Sequence, residues 1–197
     1  PFADTSFQKC TTRGEYPSGY PEGAIVHYTS GWQNASLADS IEHQVQNGYT
    51  YFVIDEDGNI AQNFPLNERG YHAHPAYHKA IGSNVAMHLV GIEITCAGLL
   101  NDESKAWFSN TPEVASKVRE IKTKTGNQQA GKYQKYTQKQ EQSLEKLLLW
   151  MHSNNPSVFN LDLVLGHDEV SPNRKQDPGG SLSMKMSDYR LELKRLA

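Results

Sequence analysis

Two histidines and one aspartate stand where their side chains could hold a metal ion. His27 lies within the short apolar run AIVHYT, and His167 ends the run LVLGH. Asp177 follows His167 in a segment rich in proline and glycine. A catalytic zinc ion takes three protein ligands from histidine, carboxylate or cysteine and keeps a fourth position for water. The three residues therefore suggest a hydrolytic zinc site, although this spacing is a loose motif and a lone strand histidine is more often a packed core residue.

A carboxylate lies on one face of the most apolar extended segment. Side chains alternate along a strand, so Gly91 and Glu93 in the run VGIEI share one face. The opposite face carries only branched apolar side chains. Glycine leaves space above the sheet, and a carboxylate beside that space suits the wall of a cleft. A glutamate that reaches solvent from a sheet edge fits the same pattern equally well.

Four other histidines have simpler interpretations. His43, His78 and His152 fall on predicted surface helices or in loops, where a solvated histidine is the usual state. His88 falls in a predicted strand and fits a packed side chain. We expect none of these four residues to take part in the chemistry.

The elements that position the candidate residues alternate between strand and helix. Runs rich in β-branched and aromatic residues predict strands at residues 24–29, 85–95 and 163–167. The run YFVIDEDGNIAQNF predicts a hairpin that turns at Asp57 and Gly58. Apolar residues at helical spacing predict helices at residues 37–47, 111–123, 137–153 and 181–197. Residues 65–84 predict a long loop, a length that often serves function.

This order of elements predicts one α/β domain with a mixed, partly parallel central sheet flanked by α-helices. The strand at residues 85–95 should lie at the centre of the sheet because it is the most apolar. Residues 1–23 show no sustained period and predict an N-terminal arm, which leaves residues 24–197 as the folded domain.

Charge and composition exclude several classes of protein. The 197 residues include 19 lysines and arginines against 22 aspartates and glutamates, a formal net charge of −3. Nucleic-acid-binding domains usually carry a basic stripe, and no apolar run reaches the roughly 20 residues that a membrane span needs. We therefore expect no nucleic-acid partner, no membrane span and a monomeric protein.

Two further features concern the compartment. Cys10 and Cys96 could form one disulfide in an oxidising compartment or remain two unrelated thiols. The sequence begins at Pro1 without an initiator methionine. These features favour an exported protein, in the periplasm, the cell envelope or the medium, and leave a cytoplasmic location open.

Five segments between about residues 24 and 180 form an ordered set of motifs. They are AIVHYTSG, YFVIDEDGNIAQ, ERGYHAH, VGIEI and, most specific, GHDEVSPNRKQDPGG. Together they resemble the amidase-2 family of zinc N-acetylmuramoyl-L-alanine amidases, which includes bacterial recycling and autolytic enzymes and is related to animal peptidoglycan recognition proteins. The resemblance implies an amidase domain at residues 24–197 with peptidoglycan or muropeptides as substrate.

The resemblance also implies the metal and its ligands. His27, His167 and Asp177 match the three zinc ligands of the family. Asp177 stands where the phage and animal branches carry cysteine, so the chain sides with the bacterial enzymes. The implied cofactor is Zn²⁺.

Three further residues match functional positions of the family. Glu93 matches the general base, and Lys175 matches the residue that stabilises the oxyanion. His72 matches a histidine of the active-site loop that contacts substrate. The match is only approximate around Thr50 and Tyr51, and residues 107–136 contain no recognisable motif, so subsite residues there stay unassigned.

Other functions remain open from the sequence. A peptidoglycan-binding module without catalysis is the main alternative, although such modules usually lack a zinc ligand. A metallopeptidase that cuts inside the peptide would use the same ligands, and a core with scattered histidines would use none. The motifs also do not separate intact cell wall from soluble muropeptides, or remodelling and recycling enzymes from phage lysins and toxins.

Overall fold

The computed structural model describes residues 3–6, 12–31, 37–49, 51–107 and 109–197. In these residues the chain forms two β-sheets and four α-helices. The strands are β1 (Gly23–Tyr28), β2 (Phe52–Ile54), β3 (Ile60–Gln62), β4 (Leu89–Ile94), β5 (Leu99–Leu100), β6 (Val118–Ile121), β7 (Gly131–Gln134) and β8 (Val164–Gly166). The helices are α1 (Leu37–Asn47), α2 (Gln138–Asn154), α3 (His167–Val170) and α4 (Met186–Leu196).

The central sheet has the strand order β3-β2-β4-β1-β8. Strands β2, β4, β1 and β8 pair in parallel, and β3 pairs with β2 in the antiparallel direction. Strand β4 lies in the middle, as its apolar sequence predicts, and all six residues of β1 are buried. The predictions of a mixed α/β domain and of a hairpin between β2 and β3 are confirmed.

Helix α2 packs one face of the central sheet. Thr137 caps its first turn through a capping box, in which the Thr137 side chain accepts from the Gln140 backbone and the Gln140 side chain accepts from the Thr137 backbone. Residues such as Leu144, Leu147 and Leu148 recur on one face of the helix and are fully buried in the main core. The predicted helices at residues 37–47 and 137–153 agree with α1 and α2 within one residue at each end.

The predicted helix at residues 111–123 is wrong. Residues Ala115–Lys117 form a short 3₁₀ turn, and Val118–Ile121 form strand β6. Strand β6 pairs with β7, and β7 pairs with β5, in a second sheet of three strands. The β-branched residues Val118 and Ile121 favour a strand once a partner is present. The helix prediction used only the spacing of apolar residues within 111–123, and the pairing partner β7 lies outside that segment.

Three predicted boundaries also shift. Residues Val85–Met87 form a 3₁₀ turn, so the central strand starts only at Leu89. His167 begins α3 rather than ending β8. The last helix starts only at Met186: residues 181–184 form a turn and bends, and the backbone carbonyl of Ser181 accepts from the Tyr136 amide.

The described part of the predicted arm lies against the body of the domain. The Arg13 amide donates to the Arg69 carbonyl at 2.8 Å, and the Arg69 amide donates to the Gly14 carbonyl at 2.9 Å. Asp4 forms a parallel bridge with Ala61 of β3. The division at residue 23 stays a prediction, although Gly23 itself is the first residue of β1.

The structure bears on two expectations, one about the cysteines and one about a membrane span. Cys96 is buried, its Sγ lies 3.3 Å from the Gln134 carbonyl, and it has no disulfide partner among the described residues. Cys10 lies outside the described residues, so its pairing with Cys96 stays a prediction. In the described part of the chain, no helix has the length and apolar character to cross a membrane.

Candidate functional site

Three side chains that the sequence singled out meet at the carboxyl ends of β1 and β8. The Nδ1 atoms of His27 and His167 lie 2.9 Å apart, and each lies 2.9 Å from Oδ2 of Asp177. All three residues are buried, with exposed fractions of 2%, 3% and 5%. The carboxyl ends of parallel strands are the usual place for binding sites in open α/β sheets.

Strand pairing explains why the two histidines are neighbours. Val26 of β1 pairs in parallel with Gly166 of β8. His27 follows Val26 on β1, and His167 follows Gly166 as the first residue of α3. A Cβ atom on Gly166 would meet Pro178 Cδ at 2.9 Å, so glycine permits the close approach of the following loop. The Asp168 amide donates to the Asp177 carbonyl at 2.9 Å and holds that loop beside α3.

The protonation states of the cluster suit a metal ion. Burial and the nearby His167 lower the pKa of His27 to about 4, so the ring is neutral at neutral pH. Burial alone would raise the pKa of Asp177, but the adjacent His167 and His27 side chains outweigh burial and lower that pKa below its usual range. Neutral imidazole and ionised carboxylate are the forms that bind a metal.

The spacing of the three atoms also fits zinc. In the described part of the chain, His27, His167 and Asp177 form the one cluster of histidine, cysteine or acidic side chains that could hold a metal ion. The three atoms lie close enough together for one ion to contact all of them, and imidazole nitrogen and carboxylate oxygen are ligands that zinc takes in proteins. The donor set therefore fits a mononuclear zinc site with an open position.

Glu93 stands beside this cluster on the central strand. It pairs in register with His27, so both side chains leave the sheet at the same level. Its Oε2 atom is buried and has no hydrogen-bond partner among the described residues. Burial and the Asp177 charge raise the pKa of Glu93 to about 8, while the Lys175 charge acts in the opposite direction. A buried carboxylate oxygen without a partner is available for a water molecule or a substrate proton.

Lys175 contributes a positive charge to the same cleft. It is half-buried, lines the cleft and lies two residues before Asp177. Its positive charge acts to lower the pKa values of Glu93 and His27, which line the same cleft. Within the described ranges Lys175 forms no ion pair with an acidic side chain, so its charge is available to a ligand.

His72 lies against His27 instead of standing apart on the loop. Its Nδ1 atom is 3.0 Å from His27 Nε2, and its Nε2 atom is 2.9 Å from the Leu89 carbonyl. Burial and the neighbouring His27 hold the pKa of His72 well below its usual value. The space that Gly91 leaves above the sheet is filled by this imidazole ring.

The cleft above the cluster has a volume of about 430 Å³ and includes residues that the sequence analysis missed. His43 was expected to be an ordinary surface histidine, but it faces the cleft from α1. Tyr49 and Tyr71, with exposed fractions of 38% and 43%, form part of the rim. Ser30 follows β1 at the same rim with a φ of 52°. For Tyr49 and Tyr71, the sequence signal that could have predicted a rim position is an aromatic residue directly after a glycine, in NGYTY and RGYHAH.

Arg174 joins the two loops that border the cleft. Its Nη2 atom donates to the Pro75 carbonyl at 2.7 Å and to Ser171 Oγ at 2.8 Å. Ser171 Oγ also donates to the same Pro75 carbonyl, at 2.8 Å. These bonds connect the loop that carries His72 to the segment that carries His167.

An α/β domain with a metal-binding cluster and an adjacent carboxylate in one cleft defines a candidate metal-dependent hydrolase. The sequence model of the Amidase_2 family, described as N-acetylmuramoyl-L-alanine amidase, matches residues 17–180. The chain therefore belongs to this family. Family membership supports a peptidoglycan amidase activity, which is a hydrolase function in cell-wall catabolism.

Solved structures share the fold at low sequence identity. An AmpD derivative is 18% identical, with a TM-score of 0.57 and coverage of 96% of this chain and 91% of that one. The amidase AmiD from E. coli is 15% identical, with a TM-score of 0.60 and coverage of 92% and 61%. The endolysin amidase LysCS from Clostridium intestinale URNW is 18% identical, with a TM-score of 0.58 and coverage of 98% and 94%. No curated protein sequence matches the chain.

Proposed function

We propose that the protein is a zinc-dependent N-acetylmuramoyl-L-alanine amidase that hydrolyses the amide bond between N-acetylmuramic acid and L-alanine. The observation that carries this proposal is the position of Glu93. Its unpartnered carboxylate oxygen shares one cleft with His27, His167 and Asp177. A module that only binds peptidoglycan has no need for a buried carboxylate oxygen beside a complete ligand set.

His27, His167 and Asp177 would hold the zinc ion through Nδ1, Nδ1 and Oδ2. The bound ion supplies Lewis-acid activation of water and of the scissile carbonyl group. Two neutral imidazoles and one carboxylate leave the site with a net charge near +1. That positive charge favours the ionised form of Glu93, the form that can accept a proton.

Glu93 moves the proton in the proposed reaction. Its carboxylate accepts a proton from the attacking water as the water oxygen bonds to the lactyl carbonyl carbon. The same proton then passes to the nitrogen of L-alanine as the carbon–nitrogen bond breaks. The products are a lactyl carboxylate on the sugar and a free α-amine on the stem peptide. A pKa raised by burial suits a group that must both take and return a proton.

Lys175 stabilises the negative charge that develops on the carbonyl oxygen. Its ammonium group borders the cleft and acts electrostatically on Glu93 and His27. A charge fixed in a water-poor site stabilises an oxyanion more than the same charge does in bulk water. We assign Lys175 to this role because no acidic side chain of the described residues neutralises it.

The substrate class follows from the family and from the shape of the cleft. The AmiD structure is a complex with anhydro-N-acetylmuramic acid-L-Ala-D-γ-Glu-L-Lys, a muropeptide of the kind that we propose here. The open, aromatic rim provides rings on which sugar and peptide groups could pack. We further propose that the protein acts as a monomer in the periplasm, the cell envelope or the medium, where peptidoglycan lies.

The test is digestion of purified sacculi followed by mass spectrometry, with and without a chelator. The expected products are whole stem peptides that begin with L-alanine, together with glycan free of peptide. Chelation should abolish their release and added zinc should restore it. Fragments in which sugar remains joined to L-alanine, with cuts inside the peptide or the glycan, would overturn the proposal. Binding to sacculi without any release would identify a binding module.

A further inference from the structure

We infer that His72 is a positioning residue for the zinc ligand His27, which it orients through a chain of two hydrogen bonds that ends at the Leu89 backbone. This inference rests on the proposed zinc site and goes beyond it. The chain consists of His27 Nε2 to His72 Nδ1, at 3.0 Å, and His72 Nε2 to the Leu89 carbonyl, at 2.9 Å. Its three members span the loop after β3, strand β1 and the start of strand β4.

The backbone carbonyl fixes the direction of every proton in this chain. A carbonyl oxygen only accepts, so His72 Nε2 must carry the hydrogen that it donates to Leu89. A neutral imidazole has one N–H, and His72 Nδ1 is therefore an acceptor. His27 Nε2 must then donate to it, which leaves the lone pair of His27 on Nδ1. Nδ1 is the atom that faces His167 and Asp177.

The sheet is built to receive the His72 ring. A Cβ atom on Gly91 would lie 2.6 Å from Cγ and 2.9 Å from Cδ2 and Nδ1 of His72, and these three are its nearest atoms. Gly91 is fully within strand β4, between Leu89, which accepts from His72, and Glu93. Glycine at this position therefore gives the ring its place over the sheet, and any larger residue would displace it.

The two rings also hold each other in a fixed orientation. The centroids of His27 and His72 lie 5.2 Å apart with an interplanar angle of 85°, which is an edge-to-face arrangement. Outer groups that accept the second N–H of a ligating histidine fix its tautomer and raise its basicity. Loss of such a group typically weakens metal affinity about 10–100-fold. His72 would thus act on the metal through His27, with no need to contact the substrate.

The experiment measures zinc affinity by competition with a chromophoric chelator for wild-type protein, His72→Phe and His72→Gln. Phenylalanine keeps a ring of similar size but removes both hydrogen bonds, and we expect about 10–100-fold weaker zinc binding. Glutamine offers one acceptor and one donor, and we expect it to recover most of the affinity. Equal affinity in all three proteins would overturn the inference. Wild-type protein that binds no zinc would instead overturn the proposed zinc site.

A second pair of variants keeps the test valid if one His72 variant is poorly folded. Gly91→Ala should weaken zinc binding in the wild-type background because the new Cβ pushes the His72 ring away. In a His72→Ala background the same substitution should have little further effect, since the ring that it displaces is gone. Additive losses from the two substitutions would show that Gly91 acts independently of His72 and would contradict the inference.

A spectroscopic readout separates positioning from simple packing. Nitrogen–proton correlation spectra of the imidazole rings in the zinc-free protein report which ring nitrogen carries hydrogen. We expect His27 to be protonated at Nε2 in the wild type and in His72→Gln, and to lose that preference in His72→Phe. A normal zinc affinity combined with a raised KM in His72→Phe would assign His72 to substrate contact and overturn its positioning role.

Discussion

The two sheets contribute to the cleft in different ways. The central sheet carries the proposed zinc ligand His27 and the proposed general base Glu93 at paired positions of the parallel strands β1 and β4. The small sheet of β5, β7 and β6 contributes none of the described residues that line the cleft. The small sheet instead packs against the end of the loop that contains Asp177. One sheet places functional groups, and the other restrains the segment that completes the ligand set.

The support from the second sheet is a set of close contacts at Gly180. A Cβ atom there would lie 2.5 Å from the Tyr133 ring on β7 and 2.7 Å from Ile121 on β6. Arg119 of β6 also donates to the Gly180 carbonyl at 2.9 Å and, through a shorter bond, to the Leu182 carbonyl. The loop is thus bound to the second sheet immediately after the proposed metal ligand. Substitutions in the central sheet should therefore change zinc binding or turnover, whereas substitutions in the small sheet should mainly change stability.

The largest effect should follow from loss of a proposed ligand. Replacing His27, His167 or Asp177 with alanine should abolish zinc binding and turnover together, because two remaining ligands cannot hold the ion in place. Metal analysis of the purified proteins, paired with a sacculus digestion assay, measures both. The wild-type protein should contain one zinc ion per chain. A variant that retains full activity without zinc would exclude that residue as a ligand.

The next effect concerns Glu93 on the central strand. Glu93→Gln keeps the size of the side chain but cannot accept a proton, so turnover should fall about 10²–10⁴-fold with zinc content unchanged. Glu22→Gln is the matched control, since Glu22 Oε1 lies 2.9 Å from His88 Nδ1 and neither residue lines the cleft. Steady-state kinetics of both variants test the assignment. Near-normal turnover in Glu93→Gln would move the general base to another residue.

A somewhat smaller effect is expected at Lys175. Lys175→Ala should lower kcat by about 10²–10³-fold, as expected for loss of one group that stabilises an oxyanion, while zinc binding remains. Lys139→Ala removes an exposed lysine that pairs with Asp57 and should leave turnover unchanged. If Lys175→Ala changes only KM, Lys175 binds substrate and does not stabilise the transition state.

The smallest effect on turnover should come from the second sheet, where stability changes instead. Tyr133 is fully buried, and Tyr133→Ala should cost about 3–5 kcal/mol of unfolding free energy through the cavity that it leaves. Tyr133→Phe keeps the ring and loses only the hydrogen bond to the Gln129 carbonyl, so it should cost about 1 kcal/mol. Denaturant titrations measure these costs. Zinc affinity should fall in Tyr133→Ala alone, and equal affinities would show that the Asp177 loop does not depend on this sheet.

The two sheets also differ in how far the sequence predicted them. His27 and Glu93 lie on strands that are otherwise apolar, so the residue pattern predicted both strands. The roles of the two residues came from the resemblance to the family and stay proposals. Strand β6 pairs with β7 across a long turn and is only partly buried, so Val118–Ile121 had no local pattern that excludes a helix. Short strands of this kind are stabilised by pairing and packing with residues outside their own segment.

The rim of the cleft was the least predictable part of the site. His43 belongs to a correctly predicted helix, but which face of α1 turns toward the cleft depends on how the helix packs on β2. Tyr71 and His72 are neighbours in the chain, yet one is exposed at the rim and the other lies against His27. A residue pattern carries no information about such orientations in a loop without a period.

The backbone bonds between Arg13, Gly14 and Arg69 have a consequence for local dynamics. They pair the N-terminal segment with the backbone at Arg69, which precedes His72 by three residues. Such bonds protect amide hydrogens from exchange with solvent, and segments without them open at low free-energy cost. We therefore expect the described part of the N-terminal arm to restrict local opening of the loop that carries His72, although this arm lies outside the proposed catalytic motifs.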